Sequence, residues 1–115
     1  MAQSLEALDG VFAALADPTR RAVVQRLGGG PASVGELARP FPITLPSFMK
    51  HVRTLESCGL IRTVKSGRVR TCTLDPERLS LAEGWLDRQR AIWEAHTERL
   101  DTFVTNQKDP TNDEP

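Results

Sequence analysis

Apolar residues return every three or four positions near the start of the chain, at Leu5, Leu8, Phe12 and Leu15. That period marks an amphipathic helix with one face turned to a core. Asp17-Pro18 restarts a helix, because Asp is a strong N-cap and Pro fits the first helical position. This second helix carries Ala22, Val23, Val24 and Leu27 and stops at Gly28-Gly29-Gly30. Ser33 caps a third, short helix, and Glu36 sits three residues on, as a capping box requires. Its apolar residues are Val34, Leu37 and Ala38, and Pro40 and Pro42 end it.

Thr44 is the next N-cap. Leu45, Phe48, Met49, Val52 and Leu55 then follow one helical stripe without a break, and Gly59 suits the position just past the helix end. The opposite face presents Ser47, Lys50, His51 and Thr54, with Arg53 at its edge. Ile61 to Val64 and Val69 to Leu74 are rich in β-branched residues and read as two strands of a hairpin. Lys65-Ser66-Gly67-Arg68 separates them, with Gly where a tight turn needs positive φ. Cys72 and Leu74 share the inward face of the second strand.

Asp75-Pro76 ends that strand, and a long helix is predicted from about Leu81 to about Thr105. It carries two adjacent apolar stripes: Leu81, Trp85, Ile92 and Phe103 on one, Ala82, Leu86, Trp93, Leu100 and Val104 on the other. A monomeric surface helix needs only one. Two stripes point to packing on its own domain and on a partner, with the first helix as neighbour. Leu5, Leu8, Phe12, Trp85, Ile92, Trp93, Leu100 and Phe103 are the expected dimer interface. The competing reading puts both stripes in one intramolecular core.

The predicted architecture is mainly α with a small β-hairpin wing: a winged helix-turn-helix that dimerises through its first and last helices. One domain is expected over residues 1–107, with a disordered acidic tail over 108–115, where two prolines and three acids replace large apolar residues. A chain of 115 residues buries only a small core, so dimerisation also helps stability.

Acidic and basic residues balance at 15 each. Their distribution carries the signal. Between Thr44 and Leu74 lie Lys50, Arg53, Arg62, Lys65, Arg68 and Arg70 against Glu56 alone. A local basic stripe can hold a nucleic acid on a neutral protein, because the local field decides the contact. Taken alone, the stripe also fits a solvated charged face. The helix from Thr44 presents short and basic side chains to base edges and phosphates, and the basic hairpin tip suits phosphates or the minor groove. The expected DNA-contacting residues are Thr44, Ser47, Lys50, His51, Arg53, Thr54, Lys65, Arg68 and Arg70. Double-stranded DNA with a palindromic site is the expected partner. No apolar N-terminal segment or long apolar run appears, so a soluble cytoplasmic protein without membrane association is expected.

The chain resembles the ArsR/SmtB family of bacterial winged-helix repressors over roughly residues 5–104. The residues that carry the resemblance are Phe12-Ala13-Ala14-Leu15-Ala16-Asp17-Pro18-Thr19-Arg20-Arg21 and Val34-Gly35-Glu36-Leu37-Ala38. Lys50-His51-Val52-Arg53-Thr54-Leu55-Glu56, Gly59-Leu60-Ile61, Gly67-Arg68 and Leu74 continue it. It is most similar to members without the family's metal motifs, whose last helix carries two spaced tryptophans, as Trp85 and Trp93 do here. The resemblance implies a homodimeric DNA-binding regulator, usually a repressor of its own operon, with His51 and Arg53 at matching positions of the recognition helix. One departure is Met49, which stands where a small polar residue is common; Ser47 can take the polar role.

Many members of the family sense a metal. One site needs Cys-x-Cys in the third helix, and Pro31 to Pro40 contains no Cys. Another uses the last helix, where Trp85 stands for the first His and Arg99 for the final Glu, leaving His96 alone. Glu98 lies about 200° round the helix from His96 and is no substitute. No metal or other cofactor is expected, and the effector is open. Cys58 and Cys72 raise a thiol-redox alternative, in which a disulfide shifts the recognition helix against the wing; the plainer reading is two small apolar fillers. No nucleophile elbow, phosphate loop or carboxylate pair points to an enzyme. The rival function is a winged helix that docks proteins and has lost DNA binding.

Overall fold

A computed structural model describes the backbone of residues 2–107 and the side chains of residues 5–100. Helix α1 (Ala2–Leu15) leads to α2 (Pro18–Leu27), strand β1 (Ala32–Ser33) and the short α3 (Val34–Ala38). Helix α4 (Leu45–Ser57), strands β2 (Ile61–Ser66) and β3 (Val69–Leu74), and helix α5 (Pro76–Gln107) complete the chain. It divides between Ala82 and Glu83 into two units, and α5 crosses that boundary. Phe103, Val104 and the expected acidic tail lie outside the described side chains.

Local chemistry places the helix starts. Asp17 accepts the Arg20 N–H at 3.0 Å, and Pro18 opens α2. Ser33 and Glu36 form a reciprocal capping box, at 3.1 Å and 3.0 Å. The Thr44 hydroxyl accepts the Ser47 N–H at the start of α4. Each side-chain oxygen satisfies a backbone donor that the first helical turn leaves open. At the far end of α4 the Leu60 N–H reaches the Leu55 carbonyl and the Gly59 N–H reaches Glu56, both at 3.0 Å. Gly59 has φ +82°, the left-handed conformation that this Schellman ending requires.

The core of the first unit gathers two or three residues from each of helices α1 to α4: Val11 and Ala14, Val23 and Leu27, Val34 and Leu37, then Phe48, Val52 and Leu55. Leu60, Ile61, Cys72 and Ala82 close it. Phe41 stacks on Phe48 with ring centroids 5.6 Å apart. Leu8, Phe12 and Leu15 of the predicted stripe pack only partly against this core. Small Ala14 and β-branched Val11 are the α1 residues that it encloses completely.

Four features of the fold differ from the sequence expectation. The sheet has three strands in the order β1-β3-β2, because Ala32 and Ser33 pair antiparallel with Cys72 and Thr71. Strand β2 runs two residues further than expected, while β3 keeps its expected bounds: Ser66 pairs with Val69, and Gly67-Arg68 is the whole turn. Gly67 has φ +63° and no other residue at the tip has positive φ, the pattern of a type II′ turn. Helix α5 starts at Pro76, five residues before the expected Leu81, because Asp75 caps it by accepting the Glu77 N–H at 3.0 Å. Leu45, expected on the buried stripe of α4, is 56% exposed, since it sits in the first turn at the edge of that stripe.

Candidate nucleic-acid interface

Helix α4 has two faces and two edges. Phe48, Val52 and Leu55 anchor it in the core. One hundred degrees per residue then turns Lys50 and Arg53 directly away, with Ser47 beside them, and all three are exposed. Thr44 is exposed at the N-cap, where its hydroxyl donates to the Ser47 Oγ at 3.0 Å. Thr54 is half-buried, and its hydroxyl donates back to the Lys50 carbonyl at 3.0 Å.

The edge of α4 toward α2 carries His51. Its side chain is only 24% exposed. Nδ1 stands 3.2 Å from Nη1 of Arg20 and 3.7 Å from the Asp17 carboxylate. The N–H of Arg20 bonded to that carboxylate holds the Asp17 pKa below the usual range; its partial desolvation opposes this and the nearby His51 adds to it. The sequence reading placed His51 on the outward face. From sequence Asp17 is legible only as a cap, and Arg20 only as one residue of the Phe12–Arg21 run.

The opposite edge faces the wing. Thr63 donates its hydroxyl to Glu56 of α4 at 2.7 Å, and Arg70 donates to the same Thr63 oxygen at 2.9 Å. This chain ties the hairpin to α4 and holds Arg70 half-buried, while Lys65 and Arg68 stay exposed. Lys65 and Arg70 are direct cross-strand partners. Like charges in that position repel and favour an anion between or near them. A groove of about 400 Å³ runs between the start of α4 and the wing, lined by Leu45, Met49, Lys65, Arg68, Val69 and Arg70. Met49, read on the apolar stripe although family members commonly carry a small polar residue there, lies half-buried against the core. Of the nine expected contact residues, Thr44, Ser47, Lys50, Arg53, Lys65 and Arg68 are exposed; His51, Thr54 and Arg70 are engaged within the protein.

The other expected chemistry is weaker. Cys58 and Cys72 are free thiols. Cys58 packs toward α1, so close that a Cβ on Gly10 would lie 3.4 Å from its own Cβ. Cys72 is buried between β1 and β2, and burial, reinforced by nearby Glu56 and opposed by Arg70, raises its pKa. A thiol kept protonated in this way is a poor nucleophile. Among the described residues no group of three or more His, Cys, Asp and Glu is placed to hold a metal ion. His96 packs its ring beside Trp93, with centroids 6.1 Å apart. No described helix is long and apolar enough to cross a membrane.

In the second unit the face of α5 is apolar and open. Trp93 is 68% exposed, and Leu86, Ile92 and Leu100 are each more than half exposed. Trp85 is more covered, at 37%. Leu5 of α1 is likewise exposed.

Comparison with known proteins agrees with this geometry. A helix-turn-helix domain family matches residues 15–64, which run from the end of α1 through the recognition helix into β2. The HTH-type transcriptional regulator Rv2034 of Mycobacterium tuberculosis is 42% identical over 80 residues, covering 70% of this chain and 75% of that protein. The transcriptional repressor SdpR of Bacillus subtilis is 30% identical over 79 residues, covering 69% of this chain and 88% of the repressor. Among solved structures, the ArsR family transcriptional regulator RHA00566 superposes with a TM-score of 0.75 at 58% identity, covering 77% of this chain and 92% of that one. With this recognition helix, this wing and relatives of this likeness, the chain belongs to the ArsR/SmtB family of winged helix-turn-helix DNA-binding transcriptional regulators, in a form without an obvious metal-binding motif.

Proposed function

We propose that this regulator is a homodimeric, sequence-specific repressor that acts on a palindromic operator, including one upstream of its own gene. The observation that carries the reading is the exposed face of α4. Ser47, Lys50 and Arg53 point away from the core beside a wing tipped by Lys65 and Arg68. Two such helices related by a two-fold axis would enter successive major grooves, about 34 Å apart. Ser47, Lys50 and His51 read bases or nearby phosphates, with Thr44, Arg53 and Thr54 supporting the backbone contact. Lys65, Arg68 and Arg70 add phosphate contacts from the wing. The similar SdpR is a transcriptional repressor, which supports repression here. Leu86, Ile92, Trp93 and Leu100 support the dimer, since an open apolar face of this kind on a helix needs a partner.

A second reading, a winged helix that docks proteins, draws on exposed Leu45, Val64 and Val69. Those side chains stand among Lys65, Arg68 and Arg70, and apolar contact with thymine methyl groups accounts for them equally well. The buried, protonated Cys72 weighs against the redox alternative. The test is a fluorescence-anisotropy titration at fixed salt, comparing DNA from upstream of the gene with a scrambled duplex. A tight, selective isotherm that saturates at one dimer per site is expected. Equal weak binding to both duplexes would overturn the autoregulatory reading and favour a docking module.

A further inference from the structure

The charge of Arg20 is used inside the protein. Nε donates to the Ala14 carbonyl at 2.7 Å and Nη2 to the Ala13 carbonyl at 3.1 Å, so the last turn of α1 holds the guanidinium plane. The remaining nitrogen, Nη1, meets Nδ1 of His51 at 3.2 Å. A guanidinium has five donors and no acceptor. Nδ1 must therefore accept, and a neutral imidazole that accepts at Nδ1 carries its proton on Nε2. The Asp17 carboxylate, 3.7 Å from Nδ1, is beyond hydrogen-bond range and accepts no hydrogen bond from it. Nε2 has no hydrogen bond to any described residue. Among the described residues no buried polar side-chain atom lacks a partner, so Nε2 reaches solvent.

Building on the DNA-reading function above, we propose that Arg20 is a specificity-determining positioning residue. By occupying Nδ1 it holds His51 in its Nε2–H form and gives the recognition helix one defined donor that reaches solvent at the α2 edge. That donor fits an acceptor on a base edge in the major groove: N7 or O6 of guanine, N7 of adenine, or O4 of thymine. The other tautomer would offer an acceptor instead and would select the amino groups of cytosine or adenine. Arg20 touches no base, yet it sets which edges His51 can read.

Two measurements separate this proposal from the function it rests on. In a His96→Gln background His51 is the only histidine, and a long-range proton–nitrogen-15 spectrum of the free protein at pH 8 reports its tautomer. The Nε2–H form is expected, and Arg20→Met should convert it to a mixture. A mixture or the Nδ1–H form with Arg20 intact overturns the proposal, whether or not the variant folds. On DNA, His51→Gln keeps an amide donor near the Nε2 position, and His51→Asn keeps only the inner polar group. Asn should reduce the ratio of operator to scrambled-duplex affinity about tenfold, while Gln retains most of it. Arg20→Met should lower that ratio in the parent and add nothing in the His51→Asn background. Equal loss on both duplexes would place His51 on a phosphate and refute base reading. A wild-type protein that shows the Nε2–H form but binds neither duplex would refute the DNA-reading function and leave the hydrogen-bond assignment standing.

Discussion

Asp17 shows what a single residue contributes and how far it can be read ahead. The Asp-Pro pair marks a helix start within three residues of sequence, and the Arg20 N–H bond is where that pattern places it. The same locality made Ser33, Glu36 and Thr44 legible as caps. The Arg20–His51 contact spans 31 residues and has no local signature. Asp17, Glu36 and Asp75 all have lowered pKa values, chiefly through the backbone N–H groups of Arg20, Ser33 and Glu77 respectively. A carboxyl that is more acidic folded than unfolded stabilises the fold above the unfolded pKa, about 4, and this contribution is lost as pH falls through the lower folded value. Urea midpoints should therefore fall on acidification below about pH 4. Asp17→Asn keeps a good cap without the charge, so its acid limb should be shallower; an identical limb would remove Asp17 from this role. Gly59 is stricter. Its φ is +82°, and an added Cβ would lie 2.8 Å from the Arg78 guanidinium. Gly59→Ala should cost about 1–2 kcal/mol from the left-handed backbone alone, measured as a lower urea midpoint with an unchanged slope.

Elements were legible where their periodicity is local and less so where a distant partner decides. The stripe of α4 was clear because Phe48, Val52 and Leu55 repeat on one face. Strand β1 was missed because two residues, Ala32 and Ser33, become a strand only through Thr71 and Cys72. Asp75-Pro76 was read as the end of a strand, although the same pair at Asp17-Pro18 was read as a helix start; it does both. The hairpin was placed correctly and its turn set too long, since Lys65 and Ser66 are polar yet remain in the ladder. Lys50 tests what α4 does as an element. It is exposed on the face opposite the core, so Lys50→Ala should leave folding intact. If it meets a phosphate, the slope of log affinity against log salt should flatten by about one unit. An unchanged slope would take Lys50 off the phosphate backbone.

For the molecule as a whole, α5 carries the open question of assembly. Leu86, Trp93 and Leu100 lie seven residues apart, with Trp85 and Ile92 one step behind, a spacing that suits two long helices wound side by side. Trp93→Ala should weaken such a dimer by about 2 kcal/mol, if Trp93 is a central anchor. That is roughly thirtyfold in dissociation constant. Sedimentation velocity would show the shift, and a variant that dimerises like the parent would remove Trp93 from the interface. The placement of the aromatic residues has a further consequence. The chain has two tryptophans and no tyrosine, and both tryptophans lie on α5 beyond Ala82. The winged core is optically silent in the near ultraviolet except for its phenylalanines. Intrinsic emission therefore reports α5 alone: if the proposed dimer covers the indoles, dilution should move it to the red as they meet water, and an emission maximum independent of concentration would count against that seam. If the α5 face is the dimer seam, the two tryptophans are a built-in probe of that association.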